Sequence, residues 1–293
     1  MSSAKMHTGE IDTDAGLVSR LLAAQFPQWA GRPVRAVPGT GTEHAIYRVG
    51  DDLAVRLPRL PGSAAAVDRA HRLLPRLAPL LPLPIPVPVG KGRPADGYPQ
   101  PWSVYRWLDG DPAWPVTDPT TLVADLAGFV RAMRGVDLDG GPPGYRGGPL
   151  ARQDSSVRAA LAQLSGDVDV DGLTSVWEAA LAAPAWVGPP VWTHGDLLPA
   201  NLLTRGGRLA AVLDFGCAGI GDPACDAMAA WTVLDAASRG SFRDTVGYDD
   251  ATWSRGRGWA LCFAVVALPY YRLTNPVLAG TARRTVAAVL ADR

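Results

Sequence analysis

Residues 191–231 read VWTHGDLLPANLLTRGGRLAAVLDFGCAGIGDPACDAMAAW, and this stretch decides the fold. Three of its polar side chains, Asp196, Asn201 and Asp214, stand among apolar and glycine residues, so we expect a buried polar centre. A buried carboxylate without a partner is destabilising by several kcal/mol. A divalent cation would offset that penalty. Carboxylate and amide oxygens suit Mg²⁺, which binds one or two carboxylates together with substrate phosphates.

The spacing of these residues predicts how they meet. Residues 202–204 and 209–213 are short apolar runs separated by Arg205-Gly-Gly-Arg208. Two such runs joined by a Gly-Gly pair are typical of a β-hairpin. The hairpin would return the chain so that Asp214 lies beside Asn201. Two metal ligands and one further carboxylate, Asp196, therefore converge through local chain geometry.

Two motifs in this stretch resemble those of a known superfamily. They are His194-Gly-Asp196-x-x-x-x-Asn201 and Asp214-Phe-Gly. Together with the intervening hairpin they are similar to the aminoglycoside phosphotransferase and choline-kinase-like superfamily, a relative of the protein kinases. The segment Gly-Asp222-Pro-Ala-x-Asp226 also matches bacterial members, in which the second aspartate is structural.

The resemblance implies an α+β, bilobal protein-kinase-like fold. A small lobe with an antiparallel sheet would precede a larger, mostly helical lobe. We expect a nucleotide-binding lobe at residues 1–104, a hinge at 105–110, and a catalytic and acceptor-binding lobe at 111–293. The implied activity is transfer of the γ-phosphate of ATP to a hydroxyl group of a small molecule, with ATP and Mg²⁺ as cofactors.

The same resemblance assigns roles to the four motif residues. Asp196 would be the catalytic base that orients the acceptor hydroxyl. Asn201 and Asp214 would hold Mg²⁺. His194 would brace the catalytic loop rather than transfer protons.

The first hundred residues carry the expected nucleotide site. Residues 34–37, 45–49 and 53–57 read as three antiparallel strands. The loop between the first two strands contains Gly39, Gly41 and Thr42, and glycines let backbone N–H groups approach phosphate oxygens. In kinases the third strand carries a lysine that binds the phosphates. Here Arg56 stands in that position, and its guanidinium can bind two phosphate oxygens.

Two further features complete this prediction. The segment Trp102–Leu108 resembles the last strand and the hinge, where backbone groups around Tyr105, Trp107 and Leu108 would pair with adenine. The helix predicted at residues 64–77 lacks the glutamate that kinases use to orient the basic residue. Ala70 occupies its place, so Asp68, Asp214 or the nucleotide itself are left as alternatives for orienting Arg56.

The second part of the chain reads as helical. Apolar spacing predicts helices from residue 118 onward, at 152–164, at 172–183 and at 281–291, and a buried helix across the apolar run 259–268. A Gly- and Pro-rich loop is predicted at 139–148. Near the acceptor, Asp222, Asp235 and Asp249 are the carboxylates predicted to contact a cationic substrate.

The composition of the chain indicates which classes of binding partner and which cellular compartment to expect. Lys and Arg number 28, as do Asp and Glu, so no strong field for nucleic acid or a membrane surface is predicted. Residues 1–100 hold 12 basic against 8 acidic residues, and the remainder 16 against 20. A basic part that binds ATP and an acidic part that binds a cationic acceptor fit this difference, and ordinary variation of surface charge fits it equally well. The first ten residues have no apolar core, so we expect no signal peptide. The three cysteines are odd in number, which predicts free thiols in a reducing cytoplasm.

The acceptor and the physiological role stay open at this point. Antibiotics, aminoglycosides first, are the leading acceptor class. A metabolite kinase for choline, homoserine or a sugar is an alternative. A nucleotide-binding pseudokinase is another, favoured by the arginine at position 56 and the missing glutamate. The sequence does not decide between ATP and GTP, or the oligomeric state.

Overall fold

The computed structural model describes residues 7–37, 42–113, 119–137 and 139–292. The chain divides into two compact units. One consists of Met1–Pro79 with Pro84–Asp109, and the other of Leu80–Leu83 with Gly110–Arg293. The hinge predicted at 105–110 therefore spans the boundary between residues 109 and 110, and its role stays a prediction.

The described residues form strands and helices in an α+β arrangement. The strands are β1 Val34–Ala36, β2 His44–Val49, β3 Leu53–Pro58, β4 Pro88–Gly92, β5 Trp102–Arg106, β6 Asp111–Pro112, β7 Val191–Thr193, β8 Leu202–Arg205, β9 Arg208–Val212 and β10 Gly219–Gly221. The α-helices are α1 Ala15–Gln25, α2 Ala64–Leu77, α3 Pro119–Arg134, α4 Asp154–Gln163, α5 Val170–Ala182, α6 Ala224–Ala227, α7 Ala229–Thr232, α8 Ala236–Val246, α9 Asp250–Tyr271 and α10 Pro276–Ala291.

The first unit is built on an antiparallel sheet of five strands in the order β1-β2-β3-β5-β4. Arg56 on β3 lies opposite Ile46 on one side and Ser103 on the other. Alternating apolar residues of β2 and β3 pack with the buried face of α1 in one core. The three strands and the helix at 64–77 are confirmed, because strand alternation and helical periodicity were both present in the sequence.

The second unit is mostly helical. Helix α9 lies at its centre, packs against α4, α5, α6 and α10, and buries most of its residues. The predicted buried helix is confirmed, but it extends beyond the apolar run and continues through Pro269 to Tyr271. The last helix begins earlier than predicted, at Pro276, where Asn275 accepts a hydrogen bond from the Leu278 N–H (3.1 Å). Proline at the first helical position explains that start, because no intrahelical donor is lost there.

The predicted hairpin at 202–213 is also confirmed as β8 and β9. Its turn residues Gly206 and Gly207 have φ of 58° and 79°, a conformation that tight hairpin turns require and that glycine adopts without strain. Arg208 at the start of β9 forms a two-pronged ion pair with Asp125 of α3 (2.9 and 2.6 Å). This contact fixes the hairpin against the helical part of the same unit.

Across the part of the chain that the structure describes, no helix is both long and apolar enough to cross a bilayer.

Two helical glycines offer a matched test of the packing around α9. A Cβ at Gly256 would lie 2.5 Å from the Ala227 Cβ, whereas a Cβ at exposed Gly240 of α8 would meet nothing within 4 Å. We expect Gly256→Ala to lower the free energy of unfolding by about 1–3 kcal/mol through overpacking. Gly240→Ala should raise it by about 0.5–1 kcal/mol through helix propensity. Urea unfolding measures both, and equal effects would contradict the close α6–α9 contact.

Candidate active site

The predicted catalytic loop, residues 194–201, follows β7 and is anchored by one buried carboxylate. Asp226 is 1% exposed, and its two oxygens accept hydrogen bonds from the backbone N–H groups of His194 (2.9 Å) and Gly195 (2.7 Å). Burial raises the pKa of Asp226, and the two backbone donors act in the opposite direction. The structural role predicted for Asp226 corresponds to these two bonds.

His194 braces the loop from inside. Its side chain is fully buried, Nε2 lies 2.9 Å from the Leu213 carbonyl oxygen, and Nδ1 lies 3.2 Å from the Asp196 backbone nitrogen. A carbonyl can only accept and a backbone N–H can only donate, so these partners require the neutral tautomer with the proton on Nε2. The ring also packs edge-on against Phe215, with 4.7 Å between centroids. Both ring nitrogens are therefore engaged in holding the backbone.

Asp196 is held at both carboxylate oxygens. Its Oδ2 accepts a hydrogen bond from Asn201 Nδ2 (3.0 Å), and its Oδ1 accepts one from Arg146 Nη1 (2.5 Å). The side chain is 19% exposed, so solvent or a substrate can still reach it. Asn201 Nδ2 also donates to the Asp196 backbone carbonyl (2.8 Å), which closes the loop on itself.

The hairpin brings Asp214 next to this loop. The Leu213 N–H donates to the Asn201 carbonyl at 2.7 Å, so the residues before and after the hairpin are in direct contact. Asp214 has φ of 57°, one of two positive values among the described non-glycine residues. Its Oδ1 accepts a hydrogen bond from Gly216 N–H (3.2 Å). Backbone strain of this kind costs of order 1–3 kcal/mol and is concentrated at functional sites.

The donor set around the hairpin fits Mg²⁺. Because Asn201 uses its amide nitrogen on Asp196, its Oδ1 is turned to the other side, where a cation could bind it. The Asp214 carboxylate follows at the end of β9. The described residues contain no group of three or more His, Cys, Asp or Glu that could enclose a metal by themselves. Two protein oxygens completed by phosphates and water are what Mg²⁺ commonly takes.

Arg146 is a part of this site that the sequence did not reveal. It lies in the Gly-rich loop predicted at 139–148, its side chain is 17% exposed, and Nη1 also donates to the Gly195 carbonyl (2.7 Å). Burial lowers the pKa of its guanidinium, but the nearby Asp196 carboxylate raises it overall. No local pattern marks this residue, because its partners are about fifty positions away in the chain.

The three carboxylates predicted to contact a cationic acceptor have partners within the protein. Asp222 forms a two-pronged pair with Arg255 (2.7 and 3.1 Å), and its side chain is 11% exposed. Asp235 accepts the Ser238 N–H (2.9 Å) at the start of α8, and Asp249 accepts the Thr252 N–H (2.6 Å) at the start of α9. All three carboxylates therefore have partners within the second unit, through helix capping or charge pairing, and their contact with an acceptor stays a prediction.

A cavity of about 390 Å³ lies beside the loop that carries Arg146. Its lining is mostly apolar and includes Gly147, Leu150 and Trp186, with Asp222 and Arg255 as its charged residues.

The predicted nucleotide residues of the first unit are placed on its sheet and its edges. Arg56 lies on β3, with Nη2 3.3 Å from His44 Nδ1 and the guanidinium 5.7 Å from the Tyr105 ring centroid. Thr42 precedes β2, and His7 Nε2 lies 3.0 Å from its carbonyl oxygen. Gly39 and Gly41 fall outside the described residues, so the phosphate loop itself stays a prediction.

The residues predicted to contact adenine lie on β5 or directly after it. Tyr105 is buried on β5, Trp107 donates its backbone N–H to the Asp52 carbonyl (2.8 Å), and Leu108 is half-buried. Of the alternatives for orienting Arg56, Asp68 has another partner, because its carboxylate pairs with Lys91 at 2.6 Å.

The comparisons with known proteins show the family and the fold of the chain. The sequence profile of the phosphotransferase enzyme family matches residues 34–259. The chain belongs to this family. As a phosphotransferase it is a kinase-type enzyme, which confirms both the predicted superfamily and the predicted class of enzyme. None of the curated proteins matches the chain.

Solved structures show which fold this phosphotransferase has. The GDP complex of aminoglycoside 2'-phosphotransferase-IIIa is 21% identical, with 96% of this chain and 99% of that chain covered and a TM-score of 0.75. The macrolide 2'-phosphotransferase MphH from Brachybacterium faecium, as apoenzyme, is 26% identical over 94% and 97% of the two chains, with a TM-score of 0.60. The predicted kinase-like α+β fold is confirmed.

The anchoring role of Asp226 can be tested against a matched aspartate. Asp226→Asn places an amide where two backbone N–H groups need two acceptors, so we expect the free energy of unfolding to fall by about 1–3 kcal/mol. Asp249→Asn keeps an equally good helix cap and should change it by only a few tenths of a kcal/mol, about the difference among good caps. Urea unfolding followed by tryptophan fluorescence compares them. An Asp226→Asn variant as stable as Asp249→Asn would contradict the anchor.

Proposed function

We propose that this phosphotransferase moves the γ-phosphoryl group of ATP to a hydroxyl group of a small-molecule antibiotic. The observation that carries the proposal is the environment of Asp196. Its carboxylate is fixed by Asn201 and Arg146 and is still 19% exposed, and the residue before Asp214, Leu213, is bonded to the Asn201 carbonyl. A fixed, accessible carboxylate next to a candidate magnesium site is what phosphoryl transfer to an alcohol requires.

Asp196 is the group we propose to act on the acceptor. An ionised carboxylate has about four acceptor sites, and two are used by Asn201 and Arg146. A remaining lone pair can take a hydrogen bond from the acceptor hydroxyl and aim its oxygen at the γ-phosphorus. As the new oxygen–phosphorus bond forms, the bond from the γ-phosphorus to the bridging oxygen breaks, ADP leaves, and the carboxylate receives the hydroxyl proton. His194 stays out of this proton transfer, since its two nitrogens hold Leu213 and Asp196.

Asn201 and Asp214 are the residues we propose to hold Mg²⁺. When bound there, the ion would neutralise charge on the phosphate oxygens. For the nucleotide, we propose that Arg56 binds phosphate oxygens and that the backbone near Tyr105, Trp107 and Leu108 contacts the base. Support comes from relatives solved with GDP, with ADP and with ATP.

For the acceptor we propose an aminoglycoside or a macrolide. Relatives in the comparison were solved with kanamycin, gentamicin and streptomycin, and others are macrolide phosphotransferases. The cavity beside the Arg146 loop is a candidate for the part of the acceptor away from its hydroxyl. Because the charges of Asp222 and Arg255 neutralise each other, the lining of this cavity presents no net charge to a ligand.

The direct experiment is an incubation of the chain with Mg²⁺ and either ATP or GTP. Kanamycin, gentamicin, streptomycin, a macrolide and choline are the test acceptors, and mass spectrometry detects a phosphorylated product. We expect a product from at least one of the antibiotics. Phosphorylation of choline alone would contradict an antibiotic acceptor and indicate a metabolite kinase. Failure to bind either nucleotide would contradict the phosphotransferase mechanism itself.

Asp196→Asn tests the proposed base. The amide keeps the size of the side chain but cannot receive the hydroxyl proton, so we expect kcat to fall by about 10²–10⁴-fold. Binding of MgATP, measured by calorimetry, should stay within about twofold, because Asp196 does not hold the nucleotide in this mechanism. A kcat close to that of the unmodified chain would remove Asp196 from its role.

Asp214→Asn tests the proposed metal ligand. Asparagine tolerates the positive φ of this position, so the substitution removes the charge with little backbone strain. Calorimetry should show ATP affinity in the presence of Mg²⁺ falling by at least ~10-fold, with affinity in EDTA unchanged. Asp235→Asn, which keeps its helix cap, is the control. Equal loss of affinity with and without Mg²⁺ would contradict metal ligation by Asp214.

A further inference from the structure

Arg146 belongs to a segment, residues 142–147, that is bonded along its backbone to residues 217–222. The bonds share one pattern, in which the two segments exchange N–H and carbonyl groups: Ile220 N–H to Pro142 O (2.9 Å), Gly144 N–H to Ile220 O (3.0 Å), Tyr145 N–H to Cys217 O (3.1 Å) and Asp222 N–H to Gly147 O (2.8 Å). The second segment begins three residues after Asp214. The Arg146 loop is therefore part of the same scaffold as the candidate metal site.

The close approach of the two segments depends on glycine. A Cβ on Gly219 would lie 2.5 Å from the Gly144 backbone nitrogen, and a Cβ on Gly221 would lie 2.7 Å from the Gly147 carbonyl oxygen. No side chain fits at those distances, and backbone atoms cannot move aside cheaply. The backbone on both sides of Arg146 is thus fixed, and this fixes the position from which its side chain reaches the catalytic loop.

At that point the guanidinium binds the catalytic loop twice. Nη1 donates to the Gly195 carbonyl (2.7 Å) and to Asp196 Oδ1 (2.5 Å), and it lies 3.8 Å from the Cys217 sulfur. The side chains of Arg146 and Asp196 are 17% and 19% exposed. When an arginine–carboxylate pair is this little exposed, its stability depends on well-formed hydrogen bonds as well as on the attraction between the two charges.

We propose that Arg146 is a positioning residue for phosphoryl transfer. By holding Oδ1 while Asn201 holds Oδ2, it fixes the rotation of the Asp196 carboxylate and so decides which lone pairs face the acceptor hydroxyl. It acts through Asp196 and contacts neither nucleotide nor acceptor in this account. This inference rests on the proposed function, in which Asp196 aims the hydroxyl.

A purely structural role for Arg146 makes a different prediction. If the guanidinium only ties the loop to the scaffold, its removal lowers stability and leaves turnover per folded molecule unchanged. If it positions Asp196, its removal lowers kcat while the KM for ATP stays the same, since the nucleotide does not contact it. Misplacing a reacting group by about 1 Å can reduce the rate about 10²-fold.

The test uses the full chain with three substitutions. Arg146→Gln removes the charge, Arg146→Lys keeps a charge without the planar fork, and Arg158→Gln is a matched control. Arg158 is a half-exposed arginine of the same unit, paired with Asp154 and Glu178. Turnover is measured as MgATP consumption with the acceptor found above, or with water as acceptor, after the folded fraction is determined by thermal unfolding.

We expect Arg146→Gln to lower kcat by about 10–100-fold with KM for ATP within about twofold. Arg146→Lys should recover part of the loss, because a lysine can still donate to Oδ1. Arg158→Gln should leave both constants unchanged. An Arg146→Gln kcat within twofold of the unmodified chain, or no recovery by lysine, would overturn the proposal.

A stability cycle supplies a readout that needs no turnover. Urea unfolding compares Arg146→Gln, Asp196→Asn and the double variant. Each single substitution leaves one buried charge unpaired, whereas the double variant leaves none. We therefore expect the double variant to lose less stability than the sum of the two single losses. Additive losses would overturn the pairing of the two residues. An unmodified chain that consumes no ATP would instead contradict the proposed function, while the cycle still reports on the pair.

Discussion

The structure of the site depends on one buried carboxylate. Asp226, on the short helix α6, accepts hydrogen bonds from the backbone N–H groups of His194 and Gly195 and thereby joins the catalytic loop to the helical part of the second unit. Taking a carboxylate out of water is unfavourable unless donors replace the lost hydration. Those donors come from the loop itself, so the burial of Asp226 and the shape of the loop are only favourable together.

From that anchor the remaining contacts follow in sequence. His194 is held by Asp226 at its backbone and uses its ring to fix the Leu213 carbonyl and the Asp196 N–H. Leu213 in turn donates to the Asn201 carbonyl. The loop and the far end of the hairpin are thus bonded to each other, and in the proposed mechanism we expect the three oxygen-bearing side chains to need little reorganisation when substrates bind. Preorganisation of this kind is where phosphoryl-transfer enzymes obtain most of their rate.

The sequence predicted the parts of the site that are local in the chain. The hairpin could be recognised because Gly206-Gly207 permits its turn, and the hairpin alone brings Asn201 to Asp214. Arg146 could not be recognised, since its contact with Asp196 spans 50 positions and its own surroundings read only as a loop. Likewise, the pairing of Asp222 with Arg255 spans 33 positions. A lone aspartate in a sequence looks the same whether it caps a helix, pairs with an arginine or faces a substrate.

The most direct test of this account is a crystal structure with Mn²⁺ in place of Mg²⁺ and a non-hydrolysable ATP analogue, in which anomalous scattering locates the ion. The account predicts an ion bound by Asn201 Oδ1 and the Asp214 carboxylate at about 2.0–2.2 Å. Asp196 should stay outside the coordination shell and remain bonded to Asn201. An ion that binds neither Asn201 nor Asp214, or one that takes Asp196 as a ligand, would contradict it.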